Sequence, residues 1–171
     1  MPVTSLYFEV AGDIPVIQQP NGMACWATVA TMLMSWHDRQ CYSIETAMEM
    51  AGQQYADLFN NKGGLPAENH QQFAEACGMT IEYPQCYTTE GLYDLLASYG
   101  PIIVITDEDT SQYFAIHARI LKGIDADTVP GTTYLSLIDP ATGTEYSEEF
   151  TGFSSKFEAV DGAPRIQVMH F

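Results

Sequence analysis

The order in which helical and strand patterns follow one another predicts an α+β fold, with a helical N-terminal half packed on a C-terminal antiparallel sheet. Three observations carry this. An uncharged run from Ala24 to Trp36 spreads apolar residues over most faces of a helix, which predicts a buried, central one. Helical patterns continue to Tyr99, and beyond Gly100-Pro101 the hydrophobic period changes to that of strands. With 171 residues and 46% hydrophobic content, the chain fits a single domain over 1–171, long enough to bury about two thirds of its unfolded surface.

Leu6-Tyr7-Phe8-Glu9-Val10 reads as a short strand, ended by Ala11-Gly12-Asp13. Ile14 to Ile17 then leads into Gln18-Gln19, and Pro20-Asn21-Gly22 is turn chemistry that delivers the chain to the buried helix. His37-Asp38-Arg39 marks the exit of that helix. Ser43 is an N-cap for a helix from Ile44 to Ala51, closed by Gly52. Asn60 to Gly64 reads as a surface loop. Leu65-Pro66 opens a third helix through Cys77, with Gly78 past its end, and Thr89 caps a fourth running to Tyr99. Pro101 to Ile105 is a short apolar run that predicts a buried strand. From Tyr113 to Leu121 alternation sets Phe114, Ile116, Ala118 and Ile120 on one face and Tyr113, Ala115, His117 and Arg119 on the other. Tyr134 to Ile138, Thr144 to Phe150 and Ile166 to Phe171 complete the strands.

Twenty-two acidic against six basic side chains give a formal net charge of −16, which repels nucleic acid and anionic membrane surfaces and leaves a neutral or basic partner. No segment approaches the ~18 consecutive apolar residues of a membrane span, and Met1-Pro2-Val3-Thr4 lacks the basic start of a signal peptide. A cytosolic protein, or one exported without a cleaved signal, is expected. Cys25, Cys41, Cys77 and Cys86 form no C-x-x-C pair, which argues against a disulfide scaffold and a structural zinc site, although an oxidising compartment would allow a Cys77 to Cys86 bridge.

Cys25 stands at the junction of the glutamine loop and the buried helix. There the free backbone amides and the positive end of the helix dipole favour thiolate over thiol. The alternative is a small core hydrophobe. A nucleophilic cysteine needs an imidazole to take its proton and a third group to hold that imidazole. His37 lies on the same helix, about 18 Å away, and is excluded. His70 sits among Glu68, Asn69, Gln71 and Gln72 on a solvated helix face, and His170 on a terminal strand edge is the weaker alternative. His117 is mid-strand, and Gly123 to Gly131 is dense in turn residues, with Asp125 and Asp127 read as turn formers. A hairpin centred near residue 127 or 128 matches positions whose numbers sum to roughly 256, which puts Asp139 or its neighbours opposite His117. Acyl transfer also needs donors for an oxyanion, and Gln19 could curl back to supply one, with Gln18 as the competing residue. Cys25, His117 and Asp139 are also metal-ligand types, but the glutamine and the helix start favour nucleophilic work, so no cofactor or metal is expected.

The spacing Gln19, five residues, Cys25-Trp26-Ala27 at a helix start resembles the papain-like cysteine peptidases. His117 to Asp125 and Thr133-Tyr134-Leu135-Ser136-Leu137-Ile138-Asp139-Pro140-Ala141-Thr142-Gly143, with Leu92 to Pro101 ahead of them, resemble more closely the bacterial branch of plant-pathogen avirulence proteases and bacteriocin leader peptidases. The resemblance spans Gln18 to about Phe157. It implies Cys25 as nucleophile, His117 as general base and acid, Asp139 as imidazole orienter and Gln19 as oxyanion donor; papain itself has asparagine in the third role. It also implies a bacterial effector or toxin acting on a protein or peptide substrate. With no pro-segment, restraint is expected from a separate inhibitor or immunity protein. The same groups would serve glutamine deamidation or transfer, or a peptidoglycan amidase, and a papain-like fold can also survive as an inert binding module.

Overall fold

The computed structural model describes residues 6–108, 116–126, 132–160 and 166–171. The expected strand residues 113–115, the hairpin centre at 127–128 and Asp127 lie outside them. The chain enters through β1 (Leu6–Glu9) and then α1 (Cys25–Asp38), in which every residue from Trp26 to Ser35 is buried. The charge-free Ala24 to Trp36 run has this cause: a helix enclosed on all sides has no face for a charge. Thr28 and Thr31 fit there because their hydroxyls donate to the carbonyls of Ala24 and Ala27 one turn back.

Next come α2 (Ile44–Ala51) and α3 (Gln53–Asn60), hinged at Gly52. The periodicity argument missed α3, an eight-residue helix immediately after a glycine break, even though Tyr55, Ala56 and Phe59 form a helical stripe. The third expected helix, Leu65 through Cys77, is shorter: a 3-10 turn at Ala67–Asn69 precedes α4 (His70–Ala76). β2 (Thr80–Glu82), which the sequence did not announce, leads to α5 (Thr89–Tyr99). Its N-cap is Thr88, whose side chain accepts from the Gly91 N–H, one residue ahead of the expected cap.

β3 (Ile102–Asp107), β4 (Ile116–Ala126), β5 (Tyr134–Asp139), β6 (Thr144–Glu149) and β7 (Val168–His170) follow, with α6 (Phe150–Glu158) between the last two. α6 was also unforeseen. Its Glu149 cap stands directly at the end of a strand, so the strand pattern runs into the helix without a break. The seven strands of the described residues form one antiparallel sheet in the order β2-β7-β3-β4-β5-β6, and β1 pairs with the far half of β4.

The sheet is covered on both faces, which buries β3 along its whole length and makes it apolar from Ile102 to Ile105. Ile103, Ile105, Ala118, Ile120 and Ile138 pack with α1 to α4, whereas Ile102, Val104, Leu121, Leu135 and Leu137 pack with α5 and α6. The expected alternation of β4 fails at Arg119, which is fully buried although its face was read as the polar one. Asp125 is a strand residue of β4, paired with Tyr7 and Tyr134, and not a turn former.

Candidate active site

The Asn21-Gly22 turn is held by the Asn21 side chain, whose Oδ1 accepts from the Met23 N–H at 3.0 Å. Ala24 then caps α1 without a side-chain hydrogen bond, and the first turn holds no acid. The positive start of a 14-residue helix is therefore left to the Cys25 sulfur, which receives the Trp26 N–H. From the facing sheet, β4 adds the Ala118 N–H and the His117 imidazole, which is hydrogen-bonded to Cys25. His117 Nε2 lies 2.6 Å from Asp139 Oδ1, with the two side chains only 15% and 21% exposed. The Ala141 N–H donates to the same carboxylate oxygen at 2.8 Å, which fixes its orientation.

These contacts shift the two titrating groups in opposite directions. Burial pushes the Cys25 thiol up, but the His117 hydrogen bond, the Ala118 N–H, the imidazole charge and the Trp26 N–H together outweigh it. The thiol is held below its ordinary value. Burial pulls His117 down, while hydrogen bonds with Cys25 and Asp139 and the charges on both raise it above its ordinary value. A thiolate beside an imidazolium is the state these shifts favour.

The register that brings His117 to Asp139 differs from the expected one. Ile120 pairs with Ile138 and Leu121 with Leu137, two residues on from a hairpin centred at 127–128. The ladder also shifts between Leu121 and Gly123, a bulge at Lys122, and β4 runs on to Ala126. Continuing the observed register places Asp139 across from Arg119, so His117 reaches it diagonally. A slip of two residues preserves faces, whereas a slip of one would have put Asp139 behind the sheet.

Gln19 and Gln18 separate clearly. The Gln19 N–H donates to Pro140 O at 2.8 Å and ties the loop before Cys25 to the end of β5. Gln19 Nε2 donates to Asn21 O at 2.8 Å, and its Oε1 is buried with no hydrogen-bond partner, an expensive arrangement. Gln18 is exposed, with its Nε2 3.4 Å from Ala141 O.

The other histidines have partners of their own, and His70 also lines the cavity beside Cys25. His37 pairs with Asp38 at the far end of α1. His70, expected in solvent, is buried with Phe73 and Ala74 on the inner face of α4, its Nδ1 3.3 Å from Ile166 O. His170 is interior to the sheet and not at its edge; its Nε2 lies 2.8 Å from Glu82 and its ring stacks on Tyr99. All four cysteines are free, so the Cys77 to Cys86 bridge is not formed, and burial pushes the Cys77 thiol up to about 12.

A cavity of about 200 Å³ opens beside Cys25, walled by Met23, Gly64, Leu65, Ile105 and Ile116. Sequence reasoning had passed over this wall, treating Gly63-Gly64 as a plain surface loop. The Trp26 Nε1–H, which donates to Gly63 O at 3.1 Å, joins that loop to the first turn of α1. Among the described residues no group of three or more His, Cys, Asp or Glu side chains could hold a metal ion.

A buried helix beginning at a cysteine and packed on an antiparallel sheet that supplies a histidine is the arrangement of a papain-like cysteine peptidase. The chain belongs to the family of the papain-like cysteine protease AvrRpt2, whose model matches residues 9–158, and it is accordingly a hydrolase. In fold it is similar to a C39-like peptidase from Bacillus anthracis, at TM-score 0.59 and 13% identity over 95% of this chain and 96% of that one. It is similar also to the digestive procathepsin L 3 of Tenebrio molitor larval midgut, at TM-score 0.57 and 11% identity over 99% of this chain and 70% of that one. No curated protein matches it.

Proposed function

We propose that Cys25, His117 and Asp139 form a catalytic triad that cleaves a peptide bond through an acyl-enzyme, with Gln19 as oxyanion donor. The observation that carries this is the His117 imidazole bonded on one side to Cys25 and, at 2.6 Å, to Asp139 on the other. The Cys25 thiolate attacks the carbonyl carbon, and the oxyanion is met by the Cys25 N–H and the second N–H of Gln19 Nε2. The imidazolium gives its proton to the leaving amine. His117 then takes a proton from water as that water attacks the thioester, and the acid product leaves with the thiolate restored. Asp139 holds the imidazole through its hydrogen bond and stabilises the imidazolium. The cavity beside Cys25 accepts an apolar side chain of the bound peptide.

The test is digestion of a proteome-derived peptide library, with products identified by mass spectrometry. Wild-type protein should cut beside a narrow set of apolar residues, and Cys25→Ala and His117→Ala should cut nothing. Ammonia release without chain cleavage would instead mark a glutamine deamidase or transferase, and solubilised peptidoglycan would mark an amidase. Binding with no turnover of any kind would mark an inert module.

We also assign the enzyme the part of a bacterial effector or toxin, checked by a separate inhibitor or immunity protein. Support comes from membership of the AvrRpt2 family and from a strongly acidic chain in which no described helix is long and apolar enough to cross a membrane. Expression of the wild type, but not of Cys25→Ala, in a susceptible cell should arrest growth or remove particular proteins.

A further inference from the structure

Arg119 is the largest fully buried side chain of the described residues, two positions along β4 from His117 and on the same face. Its guanidinium donates to Glu148 at 2.9 Å, to Thr106 Oγ1 at 3.0 Å and to the Tyr146 hydroxyl, and lies 2.7 Å from Glu108. Its carbon centre sits 5.8 Å from the Phe153 ring centroid of α6. Lys156, also from α6, closes the cluster by pairing with both Glu108 and Glu148. Two cations and two anions thus offset one another beneath the sheet, joining β3, β4, β6 and α6.

Such a cluster is a weak means of stabilising a fold, because desolvating four charges consumes most of what their attraction returns. Its placement suggests another purpose. Thr106 is the cross-strand partner of His117, and the β4–β5 register continued past Ile120 and Ile138 sets Arg119 opposite Asp139. Tyr146 is near enough to Asp139 for the carboxylate's charge to act on its phenol. β3 and β6, the strands outside the β4–β5 pair that carries the imidazole and the carboxylate, are therefore tied to β4 by one guanidinium fork, a planar group with fixed donor directions that an ammonium lacks.

We propose that Arg119, with Glu108, Glu148 and Lys156, is a positioning residue for the His117–Asp139 pair: it sets the diagonal geometry in which the carboxylate meets the imidazole. The proposal rests on the triad assignment above. It acts through the pair and not on substrate.

The test is the pH dependence of iodoacetamide alkylation at Cys25, read by mass spectrometry and corrected for the folded fraction, so no substrate is needed. Four proteins are compared: wild type, His117→Ala, Arg119→Lys, and a triple variant carrying Arg119→Met, Glu108→Leu and Glu148→Leu. The triple variant replaces the guanidinium's contacts by apolar packing and leaves Lys156, 26% exposed, to turn toward solvent, so it should still fold cooperatively. Near pH ~6, Arg119→Lys and the triple variant should each label Cys25 about tenfold more slowly than wild type, with rates converging in alkali where every thiol is ionised. Folded variants that label like wild type across the pH range would overturn the proposal while leaving the triad intact. A wild-type rate in His117→Ala would instead overturn the triad itself. Should the triple variant not fold, Arg119→Lys alone decides, since it keeps the charge and loses only the fork.

Discussion

Gln19 illustrates how a single side chain is committed by its surroundings. Its backbone N–H is tied to Pro140 O and its Nε2 to Asn21 O, so the side chain is already ordered before any substrate arrives. Gln19→Ala should lower kcat by about 10²–10³ with KM little changed, as loss of an oxyanion donor does, whereas Gln18→Ala should leave steady-state kinetics nearly unaltered. The opposed shifts of Cys25 and His117 set the pH profile. Activity should appear as the thiol ionises below the ordinary cysteine range and disappear as the imidazolium loses its proton above the ordinary histidine range. The plot of kcat/KM against pH is therefore a bell, and in His117→Ala the alkylation limb of Cys25 should move up toward that of an ordinary thiol.

At the scale of elements, two glycines separate folding from function. Gly143 has φ 65°, and a Cβ there would lie 2.8 Å from Gln18 Cβ, pressing on the loop that carries Gln19. Gly100 has φ 81°, and a Cβ there would lie 2.5 Å from the Trp36 ring, at the end of α1 away from Cys25. Alanine at either position should destabilise the fold by about 1–3 kcal/mol in urea titrations, and only Gly143→Ala should also lower kcat per folded molecule. Most elements were legible from local pattern, α1 best of all, because burial on every side leaves a long uncharged run. α3, β2 and α6 were not: α3 follows α2 across a single glycine, α6 follows β6 with no loop between, and β2 is only three residues long.

For the molecule as a whole, the excess of acid shapes both stability and partners. Of the described cations, Arg119, Lys122 and Lys156 are already paired within the structure, so the net charge of −16 faces solvent largely uncompensated. Self-repulsion of this kind is screened by salt. The melting temperature should rise on going from ~0.01 M to ~0.15 M sodium chloride, where the Debye length falls from about 30 Å to about 8 Å. A basic peptide substrate should show the reverse: its KM should increase over the same range, because screening weakens the attraction that gathers it.

The sequence alone determined the α+β order, the buried helix opening at Cys25, and a short set of groups, Gln18 or Gln19, His117 and Asp139, from which a thiol site could be assembled. Periodicity, caps and residue chemistry are local properties, written in neighbouring positions. The tertiary structure decided what depends on partners distant in the chain. The bulge at Lys122 made the His117–Asp139 meeting diagonal, the hydrogen bond to Pro140 distinguished Gln19 from Gln18, and the cover of α6 turned an apparently exposed arginine into the buried centre of an ionic cluster. None of these has a local signature, since a strand's register and the face a helix covers are set only when segments far apart in sequence pack together.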